Sequence, residues 1–179
     1  MRRKWMVLTA IAVGLMLGQT AWAGSAPAVV TITAEVDSFA EWADADPAIA
    51  KDAWTGGPHV GAVDQALTVT KPLTLYANVT ITLTPTGSTN SGILTNGTET
   101  LATSYQITGD VTDQDEIYKL AGTAAGEFFA TDPANTYTVT HVAGDGSYAV
   151  NLLAQAVSPN NRAPDAGDYT CGVTLTAGW

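Results

Sequence analysis

The feature of the sequence that most constrains its fold is a regular alternation of apolar residues and threonine between residues 67 and 86. The odd positions carry Leu67, Val69, Leu73, Leu75, Ala77, Val79, Ile81 and Leu83, and threonine takes most of the even positions. A period of two places one face of a strand in a core and the other in water. Because Pro72 cannot donate to a ladder, the pattern predicts two strands, at about residues 66–70 and 73–84.

The same alternation recurs along the rest of the chain, in residues 30–36, 101–107, 137–141, 148–154 and 169–177. Glycine, proline, asparagine and aspartate separate these runs and mark turns. Short alternating strands separated by such turn residues predict an all-β fold, an antiparallel β-sandwich. One or two short loop helices interrupt it. The first is residues 48–54, with Asp46 as cap and Pro47 at the first position, and the second is residues 112–120.

Residues 1–23 have the three parts of a secretory signal peptide. Arg2, Arg3 and Lys4 precede an apolar stretch over residues 6–17, and Ala21-Trp22-Ala23 forms a cleavage site of the A-x-A type. The apolar stretch is too short for a spanning helix, so we expect no membrane insertion after cleavage. The sequence predicts a secreted protein, exported by the general secretory route to the cell surface or beyond, with residues 24–179 as one domain.

Charge excludes one class of partner. The chain has 7 basic and 17 acidic residues, and loss of the signal leaves 4 basic residues against 17 acidic ones, a net charge of −13. Binding to nucleic acid depends on basic residues that neutralise phosphates. We therefore expect no nucleic-acid partner.

Residues suited to catalysis are few, and we expect no enzymatic activity. His59 and His141 are the only histidines, and neither lies in a recognisable hydrolase or metalloprotease motif. The single cysteine, Cys171, falls on the apolar side of the last strand. There it is interpreted as a small buried hydrophobe, with a disulfide between two chains as the alternative in an oxidising compartment.

One acidic cluster is the best candidate for a metal site. It consists of Asp110, Asp113, Asp115 and Glu116. Calcium takes several oxygen ligands from a short loop, although the spacing differs from that of an EF-hand. The alternative is that Asp113 and Glu116 occupy the first turn of a helix, where negative charge is favourable. No other cofactor is expected.

Thr-x-Thr pairs recur on the predicted wet strand faces, at residues 31–33, 68–70, 80–84, 138–140 and 174–176. A flat array of such pairs resembles the face that some ice-binding proteins use. The intervals between the pairs are irregular, so they do not predict a repeating coil that would align them. The high β propensity of threonine also accounts for its presence on a wet face.

The closing segment, residues 166–176, reads A-G-D-Y-T-C-G-V-T-L-T. It resembles the last strand of bacterial fimbrial and spore-coat-type secreted subunits, which end in a glycine-tyrosine turn and a V-T-L-T-like strand. The resemblance implies an immunoglobulin-like sandwich and subunits that polymerise by lending a strand to a neighbour. The disulfide that is common in some of these subunits is missing here.

Three functions remain open from the sequence. The first is a structural subunit of an extracellular fibre, pilus or coat that forms a homopolymer. Its polymerising strand is residues 29–36, with Val30, Ile32, Ala34 and Val36 on one face. The second is an adhesion or carbohydrate-binding module, in which Trp42 and Trp54 stack on a sugar. The third, an exported enzyme, ranks last. Exposed, coplanar tryptophans would favour the module, and buried ones the structural subunit.

The signal peptide gives the first prediction. We expect the exported protein to begin at Gly24, because the A-x-A site ends at Ala23. N-terminal sequencing or intact-mass measurement of material from the culture medium or cell surface checks this. Exported protein that begins at Met1 would contradict it.

Overall fold

The alternation folds, as predicted, into an all-β structure of two antiparallel sheets that form a sandwich. The computed structural model describes residues 33–44, 47–50, 53–56, 66–158 and 164–179. The strands are β1 (Ala40–Trp42), β2 (Thr55–Gly56), β3 (Ala66–Ala77), β4 (Ile81–Thr89), β5 (Ala102–Gly109), β6 (Lys119–Leu120), β7 (Tyr137–Val139), β8 (Ser147–Val157) and β9 (Gly172–Gly178). The larger sheet has the order β1-β3-β8-β5-β6, with β2 also paired to β3, and the smaller sheet has the order β7-β4-β9.

The chain divides into two compact units, Met1–Glu35 and Val36–Trp179. In the first unit only residues 33–35 are described, and they are exposed and outside any strand. The predicted signal peptide therefore lies outside the described residues. All nine strands belong to the second unit. No helix in the described ranges has the length and apolar character needed to cross a bilayer.

The prediction of strands at residues 66–70 and 73–84 placed the break wrongly. β3 runs through Pro72 to Ala77, paired with β8 from Ala66 to Tyr76. On its other edge, the described pairs of β3 lie at residues 67–68, with β2, and 75–77, with β1. Pro72 sits between these two stretches, where the ladder on that edge does not require its missing N–H. The break comes instead at residues 78–80.

The predicted inward residues form one core between the sheets. From the larger sheet come Val69, Leu75, Tyr105, Ile107 and Val150, and from the smaller sheet come Ile81, Leu83, Tyr137 and Val139. All of these are buried. Phe128 and Phe129 join them from the connection between β6 and β7, with ring centroids 5.1 Å and 5.5 Å from that of Tyr105. A non-strand segment thus supplies two of the largest core side chains.

The helix predicted over residues 112–120 is absent, and that prediction was wrong. Asp113 has a φ of 60°, which an α-helix does not contain. The Asp115 N–H donates to the Ile107 carbonyl of β5 at 3.0 Å, and residues 119 and 120 form β6. Pairing with the edge of β5 therefore replaces the bonds within a helix.

The helix predicted over residues 48–54 is also not found in its described part. Residues 48–50 are not helical, and a single turn closes from the Ala53 N–H to the Ala50 carbonyl at 3.1 Å. Ile49 and Trp54 pack against the core as partly buried residues. The short stretch therefore acts as a covering loop that leads into β2. Asn90–Gly92 forms a short turn with φ values of 51°, 52° and 71°, which is left-handed and so differs from an ordinary 3-10 helix.

Two core tyrosines predict how stability depends on pH. Burial raises the pKa of Tyr105 and of Tyr137 well above the usual 10.0, and the contacts with Cys171 and Asp115 raise these pKa values further. The folded protein keeps both protons where the unfolded chain loses them. The stabilisation is therefore complete below pH 10 and is lost as the pH rises above about 10.

We expect the free energy of unfolding, measured in urea, to fall steadily above about pH 10. The fall should be shallower in Tyr137→Phe, which has no phenol to ionise. Tyr76→Phe, at an exposed position on β3, is the control and should keep the wild-type slope. Equal slopes in Tyr137→Phe and the wild type would contradict this account.

Candidate functional site

The long open edge of the smaller sheet is the most unusual feature of the fold. Within the described ranges, β9 is paired along one side only, with β4. The other edge strands, β1, β2, β6 and β7, have two or three residues each, whereas β9 has seven. Long exposed edges are normally shortened, charged or covered, because their free N–H and C=O groups pair readily with another strand. The seven residues of β9 include no charged residue and no proline.

The inward side chains of β9 are also incompletely covered. Val173, Leu175 and Ala177 contact the core, but each is only partly buried. By contrast, the inward residues Val150 and Ala154 of the central strand β8 are 0% and 2% exposed. The difference follows from position, because β8 has a neighbour on each side. Among the described residues, no strand lies on the other side of β9.

The predicted polymerising strand is only partly described. Val30 and Ile32 lie outside the described residues. Ala34 and Val36 are exposed and outside any strand, and Val36 is 79% exposed. The segment becomes fixed just afterwards, where Asn78 accepts a hydrogen bond from the Phe39 N–H at 2.8 Å and donates one to the Asp37 carbonyl at 2.9 Å.

Trp42 and Trp54 do not form the exposed pair that a sugar-binding platform requires. Trp42 ends β1 opposite Leu75, and Trp54 directly precedes β2. Both rings are partly buried and pack against the core, and Trp54 also contacts a second small cluster of Leu94, Leu101 and Ala156. This packing favours a structural role for both tryptophans.

The four acidic residues proposed for calcium are not brought together. In the described part of the chain, no group of three or more histidine, cysteine or acidic residues is arranged to hold a metal ion. Asp113 and Glu116 are exposed, whereas Asp115 is buried. The Asp110 carboxylate accepts a hydrogen bond from the Ala149 N–H at 2.8 Å.

The buried Asp115 carboxylate instead forms the centre of a hydrogen-bond network. One oxygen accepts from the Ile107 N–H at 3.0 Å and from the Tyr137 hydroxyl at 2.6 Å. The other lies 2.7 Å from Lys119 Nζ. Lys119 also donates to Asn135, whose amide donates in turn to the Tyr137 hydroxyl at 2.8 Å. A buried carboxylate with this many donors ties β5, β6 and β7 together.

A polar groove of about 340 Å³ lies beside the ends of β5 and β8. Its lining includes Asp110, the exposed Asp145 and the buried Tyr148. The Tyr148 hydroxyl is 2.8 Å from His141 Nδ1 and accepts a hydrogen bond from the Val142 N–H at 3.2 Å. The tautomer of His141 decides which of the two groups donates in the contact between the Tyr148 hydroxyl and Nδ1. His59, the other histidine, lies outside the described residues.

Cys171 is partly buried, and its sulfur lies 3.2 Å from the hydroxyl of Tyr105. Burial raises the pKa of the thiol, and the hydrogen bond between the thiol and Tyr105 opposes this. A raised pKa lowers the thiolate fraction, and thiolate is the reactive form. The geometry fits the interpretation of Cys171 as a small packing residue.

A scan of protein-family models, a search of curated proteins and a search of solved structures found no match to this chain.

The acidic residues give a prediction that distinguishes the buried, hydrogen-bonded Asp115 from the exposed Asp113 and Glu116. Asp115→Ala removes the acceptor for Ile107, Tyr137 and Lys119, so we expect a loss of on the order of 3 kcal/mol in the free energy of unfolding. The exposed double variant Asp113→Asn/Glu116→Gln, in which asparagine tolerates the φ of 60° at position 113, is the control and should change the stability by less than about 0.5 kcal/mol. Urea unfolding with calcium and with a chelator provides the measurement. If calcium raises the stability of the wild type and not that of the double variant, the predicted metal site is supported after all.

Proposed function

We propose that this protein is a secreted structural subunit of an extracellular fibre, pilus or coat. Residues 29–36 of one copy pair along the free edge of β9 in the next copy. The observation that carries the proposal is the seven-residue edge strand whose inward side chains, Val173, Leu175 and Ala177, are only partly covered. An exposed edge of this kind pairs readily with a strand of another chain.

The two partners match in length and pattern. The polymerising strand has eight residues and β9 has seven. The polymerising strand alternates Val30, Ile32, Ala34 and Val36 with Thr31, Thr33 and Glu35. Placed beside β9, one face would cover its partly buried side chains while the other stays in water. Strand addition of this kind takes its affinity from main-chain hydrogen bonds and its specificity from alternate side chains.

The proposed pairing requires no cofactor and no catalytic group, because side-chain burial and ladder hydrogen bonds stabilise it. Full burial of a valine or isoleucine side chain is worth roughly 1.5–3 kcal/mol, and alanine contributes less. Three such side chains contribute roughly 4.5–9 kcal/mol, and the ladder hydrogen bonds add about 0.5–1.5 kcal/mol each. Together they are comparable with the cost of ordering the strand, about 1–2 kcal/mol per residue. The same strand binds equally well in its own sheet or a neighbour's, because the ladder is the same in both. A homopolymer forms when the polymerising strand of each copy pairs with β9 of the next copy.

Electron microscopy of the purified mature protein, beginning at Gly24, is the direct test. We expect filaments or sheets. Deletion of residues 24–36 should abolish them, and the free peptide of residues 28–37 should bind the truncated protein and raise its melting temperature. A truncated protein that still assembles normally would refute the proposal, as would a wild-type protein that stays monomeric at every concentration.

A point variant with a matched control separates strand pairing from general changes in solubility. Val36→Asp places a charge on the face of the polymerising strand that must be buried, so assembly should fail while the monomer stays folded. Val142→Asp makes the same change at an exposed valine outside any strand, 54% exposed, and should assemble normally. Equal assembly of both variants would show that residue 36 is not in the contact.

A further inference from the structure

The outer face of the smaller sheet carries six threonines on three neighbouring strands. In β4, Ile81, Leu83 and Pro85 are buried, so Thr82, Thr84 and Thr86 point outward. In β9, Val173, Leu175 and Ala177 contact the core, and in β7, Tyr137 and Val139 do. The outward positions of these two strands are then Thr174 and Thr176 in β9 and Thr138 in β7.

The strand register aligns these residues into rungs. Thr84 is opposite Thr176, and Thr86 is opposite Thr174. On the other side of β4, Thr82 is opposite Thr138, whereas its partner in β9 is Gly178. The array therefore consists of two rungs between β4 and β9 and one between β4 and β7. We call this set the threonine face; its members are Thr82, Thr84, Thr86, Thr138, Thr174 and Thr176. The sheet thus brings together threonines from three of the Thr-x-Thr stretches, residues 80–84, 138–140 and 174–176, without a repeating coil.

Strand geometry fixes the two repeats of the array. Residues two apart along a strand are roughly 6.6–6.8 Å apart, and opposite residues in neighbouring strands have Cβ atoms about 4.5–5.5 Å apart. Threonine is stiff about χ1, since two heavy atoms branch at its Cβ. The inward neighbours of these threonines contact the core, fully buried in β4 and β7 and partly buried in β9, and this packing holds the backbone that carries the hydroxyl and methyl groups.

High β propensity alone does not explain the array, because the larger sheet also has a solvent-facing side on which threonine would be equally favourable. On its outer face the equivalent rungs are mixed: Thr70, Leu153 and Gln106 form one rung, and Pro72, Asn151 and Thr108 form the next. The concentration of threonine belongs to the smaller sheet. It is a property of that surface rather than of strands in general.

The charge and composition of the threonine face select its ligand. All six members are neutral, although the mature chain has a net charge of −13. A cation site would require carboxylates, and a nucleic acid would require basic residues. A sugar platform would require aromatic rings for stacking, and a stable protein interface would require a more apolar centre. The matching ligand is a neutral, flat, repeating lattice of hydrogen-bond donors and acceptors.

We propose that the threonine face binds ice. The two repeats of the array are close in size to the oxygen–oxygen repeats on a prism plane of ice, so hydroxyl groups can take lattice positions while methyl groups fill the hollows between them. Binding needs no charge and no induced fit, because the β-sheet fixes the array before contact. The function is separate from assembly through β9, since it uses side chains perpendicular to the sheet and not the edge.

The test uses the purified mature protein in slowly grown ice, with the fraction of protein taken into the ice and inhibition of ice recrystallisation as readouts. We expect the wild type to enter the ice and to inhibit recrystallisation. In Thr84→Tyr/Thr176→Tyr two rings protrude from the centre of the array, and both effects should be lost. Tyrosine has high β propensity, so the fold should be kept; circular dichroism checks this.

Thr70→Tyr, at an exposed outward position of the larger sheet, is the matched control and should keep full ice binding. Thr84→Ser, which keeps the hydroxyl but loses the methyl group, should be weaker than the wild type. The proposal is overturned if the wild-type protein is excluded from ice like a globular standard, or if Thr84→Tyr/Thr176→Tyr retains ice binding. Retention on crystalline cellulose or chitin without ice binding would assign the face to a polysaccharide and overturn the ice proposal as well.

Discussion

Two sheets that each have one apolar face must cover one another, and in this protein the two sheets are unequal. Six strands of the larger sheet face three strands of the smaller one. The smaller sheet alone does not cover the whole apolar face of the larger one, and its two sides differ in what covers the rest. Beyond β7, Thr112 forms a bridge to Thr138, and the connection between β6 and β7 inserts Phe128 and Phe129 into the core. Beyond β9 no described strand follows, and the inward side chains there remain partly exposed.

The closed side is stabilised by polar groups as well as by packing. Asp115 is buried, yet its carboxylate is fully engaged by the Ile107 N–H, the Tyr137 hydroxyl and Lys119. Such a network holds one arrangement of the segment between β5 and β7, because any shift leaves a buried charge without its donors. The contrast with the open side is chemical. Where β7 is fixed by a charge-assisted network, β9 offers only main-chain groups and half-covered aliphatic side chains.

The period of two was enough to predict the all-β class, the two antiparallel sheets and nearly all of the inward residues. It failed where the chain departs from a period. Phe128 and Phe129 follow a glycine-rich stretch with no alternation, so their place in the core had no local signal. The helix predicted over residues 112–120 rested on acidic residues suited to a first turn. The decisive fact, that Asp115 reaches the N–H of Ile107 across the edge of β5, depends on a contact between segments.

The candidate sites show the same division. The alternation in residues 169–177 predicted that Val173 and Leu175 face inward, but only the strand order shows that β9 is an edge. The Thr-x-Thr pairs were visible in the sequence, whereas their alignment across β4, β7 and β9 depends on register. Strand order and register come from long-range pairing, which a local pattern does not encode. The acidic cluster illustrates the reverse, since of four residues close in sequence Asp110 and Asp115 accept hydrogen bonds from different segments while Asp113 and Glu116 are exposed.

β9 presents its two kinds of chemical group in perpendicular directions. Its free main-chain groups lie in the plane of the sheet, and Thr174 and Thr176 point away from that plane. Subunits joined edge to edge would therefore repeat the same outer face at a fixed interval along a fibre. A surface that binds weakly as one copy gains strength when many copies are held on one scaffold, because each engaged copy raises the effective concentration of the next. In such a fibre, avidity would come from polymer length without any new contact.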